Sequence, residues 1–173
     1  MQMKSHFELF GLPRAFAVEA DALERSYREI QSRVHPDRFA HAGDAERRAS
    51  LQWTTRVNEA YRILKDPVQR ARHLLELHGV DVAFETNTAM PAEFLTQQME
   101  LRESLEEAVE ARNSGNLDTL RKDLGKAREA LERQIGHAID TKKDYAGAAG
   151  LVRKLQFLDK LDTEIDAAYE TIE

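Results

Sequence analysis

Residues 32–44 read SRVHPDRFAHAGD, and within them His35, Pro36 and Asp37 set an imidazole and a carboxylate two residues apart. An imidazole beside a carboxylate is half of a general-base arrangement, and both side chains also bind metals. The same trio serves equally as a polar loop at the foot of a helix. A nucleophilic enzyme would need a serine or cysteine for His35 to activate. The chain has no cysteine, and none of its serines sits in a G-x-S-x-G turn. A metal site built from His35, His41, Asp37 and Asp44 matches no familiar ligand spacing. Pro36 argues for another role. Its ring fixes the backbone and splays His35 and Asp37 outward, with Arg28, Arg33 and Arg38 around them. A rigid, exposed loop of mixed charge is suited to docking. On these residues alone a plain capping loop is the alternative.

Helices must position that loop. Leu23, Tyr27, Ile30 and Val34 recur at spacings of 4, 3 and 4, one face of an α-helix. Asp21 can cap its start, with Glu24 three residues on as in a capping box. The helix must end near His35, because Pro36 pushes the preceding residue out of helical dihedrals. Asp44 can cap a following helix whose inner stripe is Leu51, Thr54, Val57, Tyr61 and Leu64, ending at Pro67. A further helix, VQRARHLLELHG, closes on Gly79. Before all of these, FELFGLP is a short apolar piece closed by Gly11 and Pro13.

The chain has 173 residues, 42% apolar and 32% charged, with only 8 Gly and 4 Pro. That balance fits a globular protein of long helices. Without cysteine, disulfides and thiolate chemistry are excluded. No run in the sequence has the length of a membrane span or the make-up of a signal peptide, so a cytoplasmic protein with no membrane partner is expected. Neither a cofactor nor a nucleic-acid partner is expected. Residues 1–79 carry 13 Lys+Arg against 11 Asp+Glu, and residues 80–173 carry 12 against 20. A near-neutral first part and an acidic second part fit two regions with different partners.

Residues 80–90 carry no helical period and read as a linker. Beyond it, Pro91 fits the first position of a helix running to about Arg112. After the NSGN turn, a second helix is predicted from about Leu117 to Lys142, with Leu117, Leu120, Leu124, Leu131 and Ile135 inward. A third is predicted from about Tyr145 to Ile172, with Leu151, Leu155, Leu158 and Ile165 inward. Three long amphipathic helices with short turns predict an antiparallel three-helix bundle, and the whole chain is expected to be all-α. On the first of these helices Phe94, Leu101, Leu105 and Ala108 form the core stripe. Leu95 and Met99 fall about 100° and 140° away from Phe94. On the last helix Phe157 lies about 120° from the stripe set by Leu151. Leu95, Met99 and Phe157 are therefore surplus to the core, beside Glu103, Glu106, Glu107 and Glu110 on an outer face. They are candidates for a partner surface; chance exposure of single apolar residues is the other reading.

YREIQSRVHPDRF, with Asn58, Glu59, Ala60, Tyr61, Leu64, Asp66 and Pro67 downstream, resembles the J-domain of DnaJ-type co-chaperones. The opening HFELFGLP, the LLELHG ending and the later FLTQQMELRESLEE and VRKLQFLDKL extend the resemblance over nearly the whole chain to the HscB family. That family serves iron–sulfur cluster assembly. The resemblance implies a J-domain at 1–79, an antiparallel helix pair with His-Pro-Asp in the connecting loop, and a scaffold-binding bundle at 91–173. It implies that His35, Pro36, Asp37, Arg28, Arg33 and Arg38 dock on a DnaK-type chaperone ATPase (HscA type) and stimulate it, so that chemistry happens on the partner. It implies that Leu95, Thr96, Met99, Glu100, Glu103, Glu107 and Phe157 hold the cluster scaffold protein (IscU type). Thr96 departs from the family, which often has an apolar residue there. A general J-protein for unfolded chains would call for Gly-rich or cysteine-rich segments, which this chain lacks.

Overall fold

A computed structural model of the chain describes residues 5–82 and 90–173. Most of the expected linker, 83–89, lies outside the described residues. The elements are α1 (His6–Leu9), α2 (Ala20–Val34), a 3-10 turn (Pro36–Phe39), α3 (Asp44–Lys65), α4 (Pro67–Leu77), α5 (Ala92–Glu110), α6 (Ser114–Gly136), a π turn (His137–Thr141) and α7 (Tyr145–Ile172). Among the described residues there is no strand, and no helix is long and apolar enough to cross a membrane. The chain divides into two compact units, Met1–Leu74 and Leu75–Glu173.

In the first unit, α1 is a single turn that survives because both its ends are satisfied. The Ser5 hydroxyl accepts from the Glu8 N–H, and the Glu8 carboxylate accepts from the Ser5 N–H, each at 3.3 Å. Gly11, at φ +65°, takes the left-handed turn that follows. α2 and α3 run antiparallel: Tyr27 meets Asn58 and Tyr61, while Val34 meets Ser50. Their core contains Phe7, Phe10, Phe16, Leu23, Val57, Ala60 and Leu64. Asp66 separates α3 from α4 and caps α4, its carboxylate accepting from the Val68 N–H at 2.9 Å. Gly79, at φ +75°, lies beyond the end of α4 in the second unit, where the Val80 N–H reaches back to the Leu75 carbonyl at 2.8 Å.

Two expected caps are not found. α2 begins one residue earlier than Asp21, after Glu19, which makes no side-chain cap, and Asp21 sits in the first turn. Gly43, not Asp44, is the residue before α3. In both places the carboxylate stands inside the positive end of the helix rather than in front of it, a position the helix dipole also favours. The inner stripe of α3 is also shifted. Leu51 is 55% exposed, whereas its neighbour Ser50 is 3% exposed and faces α2.

In the second unit, α5, α6 and α7 form an up-down-up bundle. Asp118 with Tyr169, Arg121 with Asp166 and Arg128 with Asp159 pair α6 antiparallel to α7. Phe94 with Phe157 and Arg102 with Glu164 set α5 parallel to α7. Leu105, Ala108, Leu117, Leu120, Leu124, Leu158, Leu161 and Ile165 form a shared buried core. Leu101, Leu131 and Phe157 pack half-buried against it. Leu151 is half-buried as well. Boundaries differ from those read in the sequence. Pro91 precedes α5 rather than opening it. α6 starts at Ser114, because the Asn113 side chain accepts from the Asn116 N–H at 3.1 Å. It ends at Gly136 and widens into the π turn. Asp144 caps α7 through the Gly147 N–H, and a Cβ at Gly147 would collide with the Asp144 carboxylate.

Candidate functional site

Two surfaces carry the candidate residues, one in each unit. In the first, Pro36 ends α2 as expected: His35 takes φ −57°, ψ 135° and becomes both the last cap of α2 and the first of the 3-10 turn. The His35 Nδ1 accepts from the Asp37 N–H at 3.2 Å. A neutral imidazole that accepts at Nδ1 carries its proton on Nε2. The ring thus braces its own turn through one nitrogen and offers the other as a donor. The Asp37 carboxylate is 93% exposed and stands 3.6 Å from Nδ1. Histidine and aspartate here are neighbours in a turn, with no serine or cysteine between them. Among the described residues no three His, Cys, Asp or Glu gather in a metal-binding group.

The arginines fall into two kinds. The Arg38 guanidinium reaches back to the Ser32 carbonyl at 3.3 Å, and its backbone N–H donates to the His35 carbonyl at 3.0 Å. It therefore ties the turn to α2. Arg28 and Arg33 each pair with a carboxylate one turn earlier on their own helix, Glu24 and Glu29, both at 2.7 Å. Glutamate N-terminal to arginine is the favourable order for such pairs. Being exposed, each contributes little to stability and is cheap for a partner to exchange. Those pairings were not read from the sequence, although the spacing of four was visible in it.

The turn is also held from below. The Val34 carbonyl, left without a helical donor, accepts from the Ser50 hydroxyl at 2.5 Å and from the Thr54 hydroxyl at 3.2 Å. Further up the pair, the Tyr27 hydroxyl donates to the Asn58 side chain at 2.7 Å, and the Tyr27 and Tyr61 rings stack at 4.0 Å. The signature residues Asn58 and Tyr61 thus fix the spacing of the helices that carry the turn.

In the second unit, Leu95 and Met99 lie one turn apart on α5 and are 44% and 67% exposed. Phe157 is not solvated as expected. Its ring meets Phe94 edge-on at 5.7 Å, and the Arg102 guanidinium lies over it at 5.4 Å. Arg102 is itself held by both oxygens of Glu164, at 3.1 and 3.3 Å. With three long helices closing on one core, an aromatic ring near its edge gains more from tucking against Phe94 than from standing in water. Around α5, Arg102 sits about 80° from Phe94, then come Leu95 and Met99, then Glu103, Glu107 and Glu100 at about 180–240°. All three glutamates are exposed. On its other side Phe157 borders an open groove of about 500 Å³ that Gln98 shares with Arg153 and Lys160. The setting of Phe157 is of mixed charge, with Arg102 from α5 and Glu164, Arg153, Asp159 and Lys160 from α7, rather than acidic all round. Thr96 is exposed, and its hydroxyl donates to the Ala92 carbonyl of its own helix at 3.1 Å.

Residues 5–73 match the family model described as the DnaJ domain. Residues 90–166 match the one described as the HSCB C-terminal oligomerisation domain. A co-chaperone protein HscB homolog of Burkholderia thailandensis is 51% identical over 169 residues, covering 98% of this chain and 96% of that protein. Among solved structures, chaperone HscB from Vibrio cholerae superposes with a TM-score of 0.85 at 34% identity, over 98% of this chain and 100% of that one. Human co-chaperone protein HscB superposes with a TM-score of 0.91 at 26% identity, over 96% and 83%. The chain belongs to the HscB family of J-domain co-chaperones.

Proposed function

We propose that this chain works in iron–sulfur cluster assembly as the cytoplasmic co-chaperone that holds the cluster scaffold protein on its second unit and presents it to a specialised DnaK-type chaperone. In this reading residues 1–79 act as the J-domain, 80–90 as a linker and 91–173 as the scaffold-binding bundle. His35, Pro36, Asp37 and Arg38 dock on the partner ATPase and stimulate it, with Arg28 and Arg33 supplying attraction along α2. Leu95, Met99 and Phe157 anchor the scaffold, rimmed by Glu100, Glu103 and Glu107.

The observation that carries the reading is the build of the His-Pro-Asp turn. It is braced by Arg38 and by the Val34 carbonyl, yet its His35 and Asp37 side chains remain open to a partner. In this reading ATP hydrolysis takes place on that partner. The test is steady-state ATPase of a DnaK-type chaperone titrated with this chain, with and without the cluster scaffold. Stimulation that grows when the scaffold is added supports the reading. Equal enhancement by any unfolded polypeptide would favour a general J-protein.

A further inference from the structure

We propose that Ser50, seconded by Thr54, is a positioning residue for the His35–Asp37 turn, acting through the Val34 carbonyl; this rests on the docking role proposed above. Pro36 forces the chain out of α2 just after Val34, so the last carbonyls of that helix lose their helical donors. Three of the carbonyls around the exit find replacements, at Ser32, Val34 and His35. Those at Ser32 and His35 are met by Arg38, within the turn itself. Only the one at Val34 is met from α3, sixteen residues away. It therefore ties the exit of α2, and with it the start of the turn, to α3.

Ser50 dominates this contact. Thr54 has a single hydroxyl proton and lies 2.8 Å from the Ser50 carbonyl as well as 3.2 Å from that of Val34, so its donation is divided. Among the described residues Ser50 donates to Val34 alone, and its bond is shorter, at 2.5 Å. The residue is 3% exposed in the middle of α3. Serine there is a poorer helix former than alanine, and a buried hydroxyl is costly unless bonded. Stability alone gives weak reason for a serine on the inner stripe while Leu51 faces water. Orientation of a carbonyl that leads directly into His35 gives a strong one.

The experiment compares Ser50→Ala, Ser50→Thr and the double variant Ser50→Ala/Thr54→Val in stimulation of a DnaK-type ATPase. Each is assayed at a temperature where circular dichroism shows it fully folded. Ser50→Ala should raise the concentration for half-maximal stimulation about fivefold, the ratio that one hydrogen bond commands, and the double variant more. Ser50→Thr, which keeps the hydroxyl, should stay within about twofold of the parent. Half-maximal concentrations unchanged in the folded double variant would overturn the proposal. So would a Ser50→Thr variant as impaired as Ser50→Ala. His35→Gln in the same assay separates the two readings. If it abolishes stimulation while the Ser50 variants do not matter, only the positioning role falls. If it too has no effect, the docking role falls with it.

Discussion

The His35–Asp37 turn and the Leu95–Met99 stripe expose their side chains by opposite means. The turn leaves the helix at Pro36 and is then held by bonds to Ser32, Val34 and His35 carbonyls, so an irregular backbone acquires one position. The stripe lies on an uninterrupted α5, where the helix fixes the backbone and leaves the side chains free. A polar surface that must present one imidazole and one carboxylate at set angles needs bracing, because hydrogen bonds to charged groups are directional. An apolar surface that gains affinity by losing water needs only exposure and area. The first region should therefore be sensitive to small changes behind it, and the second to changes within it.

The largest expected contrast is within the bundle. Leu155→Ala or Leu161→Ala, at fully buried positions, should cost about 2–5 kcal/mol of stability in urea unfolding through the cavity left behind. Leu95→Ala and Met99→Ala should cost about 0.5 kcal/mol or less, as exposed positions do. Comparable losses at both pairs would mean that the stripe is packed in solution.

Binding should reverse that order. Alanine at Leu95, Met99 or Phe157 should weaken calorimetric affinity for the cluster scaffold by about 1–3 kcal/mol each, as interface anchors do. Phe157→Ala should also lower stability, because its ring packs on Phe94 and carries Arg102. A folded triple variant with parental affinity would place the scaffold elsewhere.

Next in size is a pH effect confined to the first unit. Burial, followed by the nearby His6 and Arg14, pushes His73 down to about 4. Its Nε2 accepts from the His6 N–H at 3.3 Å, a bond that protonation would end. The unfolded chain takes up this proton below about 6.5 and the folded chain only near 4. Stability should thus be full above pH 6.5, fall as pH drops through that window, and level off below it. After screening at this partly open site the loss should be about 1–2 kcal/mol. His73→Gln should flatten that part of the pH profile of unfolding. A slope unchanged by the substitution would assign it to other groups.

The smallest expected effect is on the α2 arginines. Arg28→Glu with Arg33→Glu breaks two exposed pairs worth about 0.3–0.5 kcal/mol each and sets like charges one turn apart. Association with the ATPase should slow, most at low salt. An association rate unaffected at low ionic strength would make these arginines a solvated face only.

How much of this was legible in the sequence follows from what each feature depends on. Periodicity was enough for α2 to α7, though not for the single turn of α1, and a proline for the end of α2, because both signals are local. The wheel was enough for Leu95 and Met99, since α5 is straight and regular there. It failed at Phe157, whose ring swings toward Phe94 across a helix boundary that no single-helix projection contains. It failed at Leu51 for a related reason: apolar character pointed inward, but the exit of α2 required a hydroxyl at Ser50 instead. The caps at Asp21 and Asp44 were misplaced by one residue or two because acidic side chains favour several positions at a helix start. Glu24 and Glu29 showed in the sequence as charges, yet their partnership with Arg28 and Arg33 emerged only from side-chain positions.

We propose that His35 is a contact for a partner rather than a support for its own fold. The direct measurement is DnaK-type ATPase stimulation by His35→Gln, with thermal unfolding of the same sample. The imidazole is about half exposed and caps the Asp37 N–H, so the melting temperature should shift by what about 1 kcal/mol or less commands. Stimulation should be abolished, and Asp37→Asn should behave alike, because an amide cannot replace a charge-assisted bond. Stimulation retained by the folded His35→Gln variant, or lost only in step with its stability, would contradict the account.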